Sequence, residues 1–168
     1  MTEPTITAPR AAETDEIEAV YRRRHREFIR VAASITGDAE SARDAVQEGL
    51  ARAFAARASL RRRGSVEAWL WKVVVNAARN AARRRRDHGE PAAAEALERE
   101  RDPEGELVRA AVAGLPERQR LVLFLRYYAD LDYAAIARVL GVRRGTVSAT
   151  LNHAHAALRR SLAQEVHA

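Results

Sequence analysis

The chain has 168 residues, enough for one domain or two small ones, and 47% of them are hydrophobic. It contains no cysteine, which excludes disulfides and thiolate metal sites, and its five histidines include no pair at the i,i+4 spacing of a helical metal site. The formal charge is +6, unevenly spread: about −4 over residues 1–21, +11 over 22–86, −6 over 87–106, +6 over 107–160 and −1 beyond.

Two basic blocks around an acidic one suit a polyanion partner, because each phosphate neutralised releases a condensed counterion. A merely solvated basic surface has the same composition. Lys72 is the sole lysine, so nearly all positive charge is arginine, whose planar fork fits phosphates and guanine edges. A GC-rich genome also favours arginine. There is no secretory signal and no apolar run of bilayer length, so a cytoplasmic location is expected. Few stretches show a strand period, and the core is rich in Ala and Val, which points to an all-α protein.

In chain order, residues 1–13 carry Pro4 and Pro9 and are expected to form a loose tail. Thr14 is placed to cap a first helix, with Asp15, Glu16 and Glu18 favourable to its dipole. Its inner face is Ile17, Val20, Tyr21, Arg24, Phe28, Ala32 and Ile35, and Gly37 ends it. Asp38 caps a second helix with Ala42, Ala45, Val46, Leu50, Ala53 and Phe54 inward. A basic loop over residues 61–64 leads to Ser65 and a third helix, with Trp69, Leu70, Val73, Val74, Ala77 and Ala81 inward, running into the arginines of 83–86. Three amphipathic helices over residues 14–86 predict a compact bundle.

Residues 87–106 lack a wide apolar face and are punctuated by Gly89, Pro91, Pro103 and Gly105, which predicts an exposed, flexible acidic linker with a short helical piece around 92–101. A second bundle is expected over 107–163, starting with Leu107, Val108, Ala111 and Val112, before a tail over 164–168. Pro116 suits a first helical position, followed by Val122, Leu125 and Tyr128 inward. Asp132 caps the next helix, with Tyr133, Ile136, Ala137 and Leu140 on one face. Gly141 breaks it, and Val147, Leu151, Ala154 and Leu158 resume the period. Two helices joined by a turn containing Gly form a helix-turn-helix, the unit that presents a recognition helix to the major groove.

Three blocks carry a family resemblance. Residues 37–54, GDAESARDAVQEGLARAF, residues 68–86, AWLWKVVVNAARNAARRRR, and residues 115–162, beginning LPERQRLVLFLRYYADLDYAAIARVLGVRRGTV, occur in the order found in bacterial sigma factors of the extracytoplasmic-function group of the sigma-70 family. The chain resembles such a factor reduced to its two essential domains. The resemblance implies a non-enzymatic protein without cofactor or metal, which binds core RNA polymerase and reads minus-35 and minus-10 promoter elements. It also implies an anti-sigma partner, able to hold the factor near a membrane.

Asp44, Gln47 and Glu48 match the residues with which the family docks on the clamp helices of the polymerase's largest subunit, and a further contact with the flap region is implied. Asp44 and Glu48 stand i,i+4, so one helix face carries acceptors suited to arginine; an ordinary solvated stripe would look the same. Asn76 matches the residue that holds a flipped minus-10 base. A side-chain amide offers donors and an acceptor to a Watson–Crick edge. Asn80 and Arg83 can share its face, Lys72 can meet a phosphate, Arg79 and the arginines at 84–86 add backbone attraction, and Trp71, off the expected inner face, could stack on an unpaired base. An incidental polar position is the alternative for Asn76.

For the minus-35 duplex, Arg120, Arg126, Arg143, Arg144 and Thr146 are the candidates for phosphate contact, and Ser148, Thr150, Asn152 and His153 for base edges. The recognition helix departs from the family pattern, since several customary basic positions are neutral here and Arg143 replaces a Ser-type cap. The acidic linker matches the segment that relatives thread through the polymerase cleft, where Glu95, Glu98, Glu100 and Asp102 would be displaced by the growing transcript; a solubilising tether explains them equally. Two other functions fit parts of the sequence: a stand-alone helix-turn-helix regulator, for which no long heptad run supplies a dimer interface, and a sigma-like interaction module with weakened promoter binding.

Overall fold

The computed structural model describes residues 9–57, 65–88 and 103–166. Among these residues there are seven helices and no strand: α1 (Pro9–Thr36), α2 (Ala39–Ala55), α3 (Val66–Asp87), α4 (Pro103–Ala113), α5 (Glu117–Tyr127), α6 (Tyr133–Leu140) and α7 (Arg144–Val166). Helices α1, α2 and α3 pack on one another, and α5, α6 and α7 form a second group with α4 resting on α7. The all-α, two-domain architecture expected from the sequence is the one observed. No described helix is long and apolar enough to cross a membrane.

The first group is stopped and started by its caps. Gly37, at φ +90°, ends α1 in a conformation that L side chains rarely adopt. Asp38 then caps α2, accepting from the Ser41 amide at 2.7 Å. Ser65 does the same for α3, accepting from the Ala68 amide at 3.4 Å. Ile17, Val20, Phe28, Val31 and Ala32 of α1 meet Ala42, Ala45 and Val46 of α2 and the inner face of α3 in one core. Gly49 lets α2 and α3 approach closely; a Cβ there would lie 3.3 Å from Val74 Cα.

Several sequence expectations are corrected. Helix α1 begins at Pro9 rather than after Thr14, because a proline in the first turn loses no helical hydrogen bond and Ala11, Ala12 and Glu13 favour helix. Thr14 is therefore inside the helix rather than its cap. The linker ends four residues earlier than expected, since Pro103 opens α4; the helical piece expected around 92–101 and the acidic residues 95, 98, 100 and 102 lie outside the described residues. Leu107 and Val108 are exposed, and only Ala111 of the expected starting face of α4 is buried. Pro116 sits at the N-cap of α5, one residue before the first helical position.

Tyr128, expected inward, is 40% exposed. The apolar side of α5 is formed by Leu121, Val122, Leu123 and Leu125, and α5 ends at Tyr127, so Tyr128 leaves the helix instead of continuing its stripe. The chain turns through Asp130 at φ +53°, a left-handed position that Asp tolerates. Asp132 caps α6 through the Ala135 amide at 2.7 Å, and Gly141 closes it at φ +67°. Val147, Leu151 and Ala154 of α7 are buried, so the helix-turn-helix forms where the sequence placed it.

Trp71 is the largest correction. It is 0% exposed, with its ring centroid 4.3 Å from that of Phe28, instead of standing free on α3. The first half of α3 is covered on nearly all sides, with Val66, Trp69, Leu70, Trp71, Val74 and Val75 all buried. A stripe read at one azimuth therefore underestimates the inner face. Trp71→Ala is expected to lower unfolding stability by about 3–5 kcal/mol. Urea denaturation of the purified chain measures this, and a loss below about 1 kcal/mol would show that the site is not a packed core position.

Candidate nucleic-acid interface

The burial of one side of α3 dictates what the other side presents. Lys72, Asn76 and Arg83 are exposed, and Arg79 and Asn80 are half-buried. They project along one flank because residues three, four and seven apart return to one face of a helix. A groove of about 570 Å³ opens there. Helix α3 contributes Asn76, Arg79, Asn80, Ala82, Arg83 and Arg86, Arg52 comes from α2, and Glu117 from the start of α5. Guanidinium groups and side-chain amides dominate the lining, a donor-rich surface suited to phosphates and to unstacked base edges. Of the sequence-derived set, the structure brings Asn76, Arg79, Asn80 and Arg83 together here. Trp71 is corrected: its ring is core and unavailable for base stacking.

Arg86, expected to add backbone attraction, lines the groove too, whereas Arg52 was missed: it belongs to another helix, so no spacing within α3 could reveal it. Arg84, placed with the strand-binding set, leans instead toward α2, donating to Glu48 Oε2 at 3.0 Å. Glu48 also accepts from Arg52 at 2.6 Å, so one carboxylate joins two arginines on two helices. All three side chains are partly open to solvent, and such pairs add little to stability. Asp44 and Gln47 are exposed on the same helix, so the acidic stripe expected on α2 is a surface with Glu48 at its basic edge.

The arginine-rich end of α3 is fixed by a different contact. Arg85 bonds to the Asp38 carboxylate, to Ser41 Oγ at 3.1 Å and to the Thr36 carbonyl at 3.5 Å. Asp38 is only 8% exposed at its side chain. Burial acts to raise its carboxyl pKa, but the Ser41 amide and hydroxyl and the Arg85 guanidinium outweigh burial and hold it below the ordinary value of 3.8. The cap of α2 thus anchors the end of α3 as well.

In the second group, the start of α7 stands on the surface. Arg143 and Arg144 are exposed at the start of α7, with the Arg143 carbonyl accepting from the Thr146 amide at 3.0 Å. Asn152 and His153 are exposed too, whereas Thr146, Ser148 and Thr150 are half-buried. The Thr150 hydroxyl donates to the Thr146 carbonyl at 2.7 Å, which leaves only its lone pairs for a base. Ala149, one of the customary basic positions that are neutral here, is exposed on the face of Asn152 and His153. A methyl there suits the thymine methyl.

Two arginines assigned to phosphate contact are occupied otherwise. Arg120 donates to the carbonyls of Ser34, Ala113 and Leu115 at 3.0, 2.9 and 3.2 Å, which makes it a tie between α5 and the end of α1. Arg126 donates to the Leu131 carbonyl at 3.4 Å and lies 3.5 Å from the exposed Asp130 carboxylate.

Asp38→Asn keeps a capping side chain but removes the charge facing Arg85, and should cost about 1–2 kcal/mol at neutral pH. A carboxyl whose pKa is depressed by folding stabilises the fold above its unfolded value and loses that contribution as pH falls. The stability difference between the wild type and Asp38→Asn should therefore shrink as pH drops below about 4. Urea titrations across that range measure it, and a pH-independent difference would contradict the assignment.

Comparison with known proteins shows the family. The Sigma-70 region 2 family matches residues 20–88, and the Sigma-70, region 4 family matches residues 105–158. The ECF RNA polymerase sigma factor SigM of Mycobacterium tuberculosis is 30% identical over 161 residues, covering 94% of this chain and 82% of that protein. SigL of the same species is 32% identical over 167 residues, covering 94% of each. Among solved structures, the sigma factor RpoE from Bartonella quintana, in complex with the anti-sigma factor NepR, superposes with a TM-score of 0.74 at 22% identity, covering 88% of this chain and 94% of that one. CnrH, in complex with the cytosolic domain of CnrY, gives 0.69 at 20% identity, covering 92% and 95%. The chain belongs to the extracytoplasmic-function sigma factors of the sigma-70 family, the RNA polymerase subunits of transcription initiation.

Proposed function

We propose that the three-helix domain traps the melted minus-10 strand in the groove beside α3, that α7 reads minus-35 duplex, and that Asp44, Gln47 and Glu48 dock on the clamp helices of the polymerase's largest subunit. The observation that carries this reading is the convergence of Asn76, Asn80 and the arginines of α3 on one groove. In this reading the work of the protein is binding. An amide held at Asn76 can pair with a flipped base, and the surrounding guanidinium groups neutralise the strand on either side.

The duplex reader is chemically lean. Arg143 and Arg144 meet phosphates, while Asn152, His153 and the methyl of Ala149 face the groove floor, with Thr146, Ser148 and Thr150 recessed. Fewer cations mean a shallower salt dependence, so more of the promoter affinity falls to the first domain. An anti-sigma protein is a fitting regulator, since the structural neighbour RpoE is seen with the anti-sigma factor NepR, and CnrH with the cytosolic domain of CnrY. Arg120 and Arg126 are not assigned phosphate contacts, because their guanidinium groups are engaged within the protein.

Run-off transcription with purified core polymerase on genomic fragments tests the whole reading: initiation that depends on adding this chain is expected, and tight duplex binding alone without initiation would contradict it. Asn76→Ala should reduce promoter opening about tenfold, the size of one lost base contact, with core binding unchanged. Permanganate reactivity of melted thymines and co-purification with core measure the two quantities, and equal loss of both would remove Asn76 from base capture. The double change Asp44→Arg and Glu48→Arg should instead weaken co-purification with core, and undiminished association would exclude that stripe from docking.

A further inference from the structure

Among the described residues, Tyr127 at the end of α5 is the most exposed of the large hydrophobic side chains, 61% open. It is nevertheless held: its hydroxyl lies 3.0 Å from His155 Nε2 on α7, and the two ring centres are 5.9 Å apart. On α7, Ser148, Asn152, His155 and Arg159 stand four, three and four residues apart, so they return to one flank of the helix. Ser148 and Asn152 are base-edge candidates. His155 and Arg159 continue their flank, and Tyr127 is brought to it from another helix. His153, two residues before His155, points to the other side of the exposed face. A reading helix in the major groove is bordered by the phosphates of both strands, so its flank beyond the base contacts meets the backbone.

The hydrogen bond between the two rings has two directions. With Nε2 unprotonated, the imidazole accepts and the phenol hydrogen is spent within the protein. A proton taken from solvent at Nε2 reverses the bond. The imidazolium N–H then donates to the phenol oxygen, and the hydroxyl hydrogen is released to donate to a phosphate oxygen. The same proton adds a positive charge one turn from Arg159. Histidine makes this change of charge between about pH 5 and pH 8. Of the neighbouring charges, the Arg126 guanidinium is 6.0 Å from the Tyr127 ring centre and lies 3.5 Å from the Asp130 carboxylate. Glu117, Arg118 and Arg120 stand at the far end of α5. Glu106 and Arg109 of α4, and Tyr133 and Arg138 of α6, make no hydrogen bond to the imidazole, whose partner is Tyr127.

We propose that Tyr127 and His155 form, beside Arg159, a further contact to the phosphates of minus-35 duplex, and that this contact strengthens when the imidazole takes up a proton. The proposal rests on the reading of α7 as the duplex reader. It gives the neutral recognition helix a source of positive charge that depends on pH.

Anisotropy of a fluorescein-labelled duplex of mixed sequence, titrated with the full chain, tests it, because phosphate contact needs no particular sequence. Between about pH 8 and about pH 5.5 at fixed ionic strength, the wild type should gain about threefold more affinity than His155→Asn. At the acid end, the slope of log affinity against log salt should be shallower by about 0.9 in His155→Asn, the value of one phosphate contact. His155→Arg, charged at every pH, should share the flat profile of His155→Asn at about threefold higher affinity. Tyr127→Phe keeps the ring and should lose about threefold at the acid end and little at the alkaline end. The proposal is overturned if His155→Asn keeps the wild-type pH profile, or if Tyr127→Phe binds as the wild type does at the acid end. In either case the double change Arg143→Ala and Arg144→Ala locates the fault. Weakened duplex binding leaves α7 as the reader, and undiminished binding removes that reading as well.

Discussion

A helix has one rotation about its axis, and the packing of Trp71 on Phe28 sets it for α3. Once Trp71, Val74, Val75 and Ala78 are committed to the core, Lys72, Asn76 and Arg83 have nowhere to go but outward. A turn of one residue, about 100°, would carry Asn76 toward the core and leave its amide without partners. The hydrophobic effect thus does the positioning, and the polar groups of the groove contribute little to the fold themselves. Gly49 supports the same alignment by allowing α2 to lie against Val74, which also brings Arg52 to the groove.

Arginine performs several unlike tasks within this small structure. Arg85, tied to Asp38, Ser41 and Thr36, is architectural, and so is Arg120, with three carbonyl partners. Arg24 joins α1 to α3 through a 2.7 Å bond to Glu67. Arg83, Arg143 and Arg144 stand exposed and fit polyanion contact. Net charge alone cannot separate these groups, since a guanidinium with satisfied acceptors at fixed geometry is no longer free to follow a phosphate. Glu48 occupies the boundary between the classes, holding Arg52 and Arg84 while lying on the acidic stripe of α2.

The helical architecture was legible because its signals are local. Asp38, Ser65, Asp132, Gly37 and Gly141 act within a few residues of themselves, and each cap or stop appears where the chain announces it. Asn76, Asn80 and Arg83 were legible as a face for the same reason, since their spacing alone aligns them. What escaped depended on distant partners. Trp71 looked free because the stripe was drawn too narrow, and nothing local says that Phe28 covers it. Tyr128 looked buried because the helical period was carried one residue beyond the helix. The employment of Arg120 by Ser34, 86 residues away, and the arrival of Glu117 at the groove are tertiary facts without a sequence period.

The central claim is that the outward flank of α3 meets a single strand of melted promoter DNA. A photo-crosslinking residue at position 83, within holoenzyme assembled on a transcribed promoter, tests it most directly. Crosslinks to the non-template strand inside the melted region, present only with core polymerase, are the predicted result. Crosslinks to closed duplex at equal yield without polymerase, or to protein alone, would contradict it.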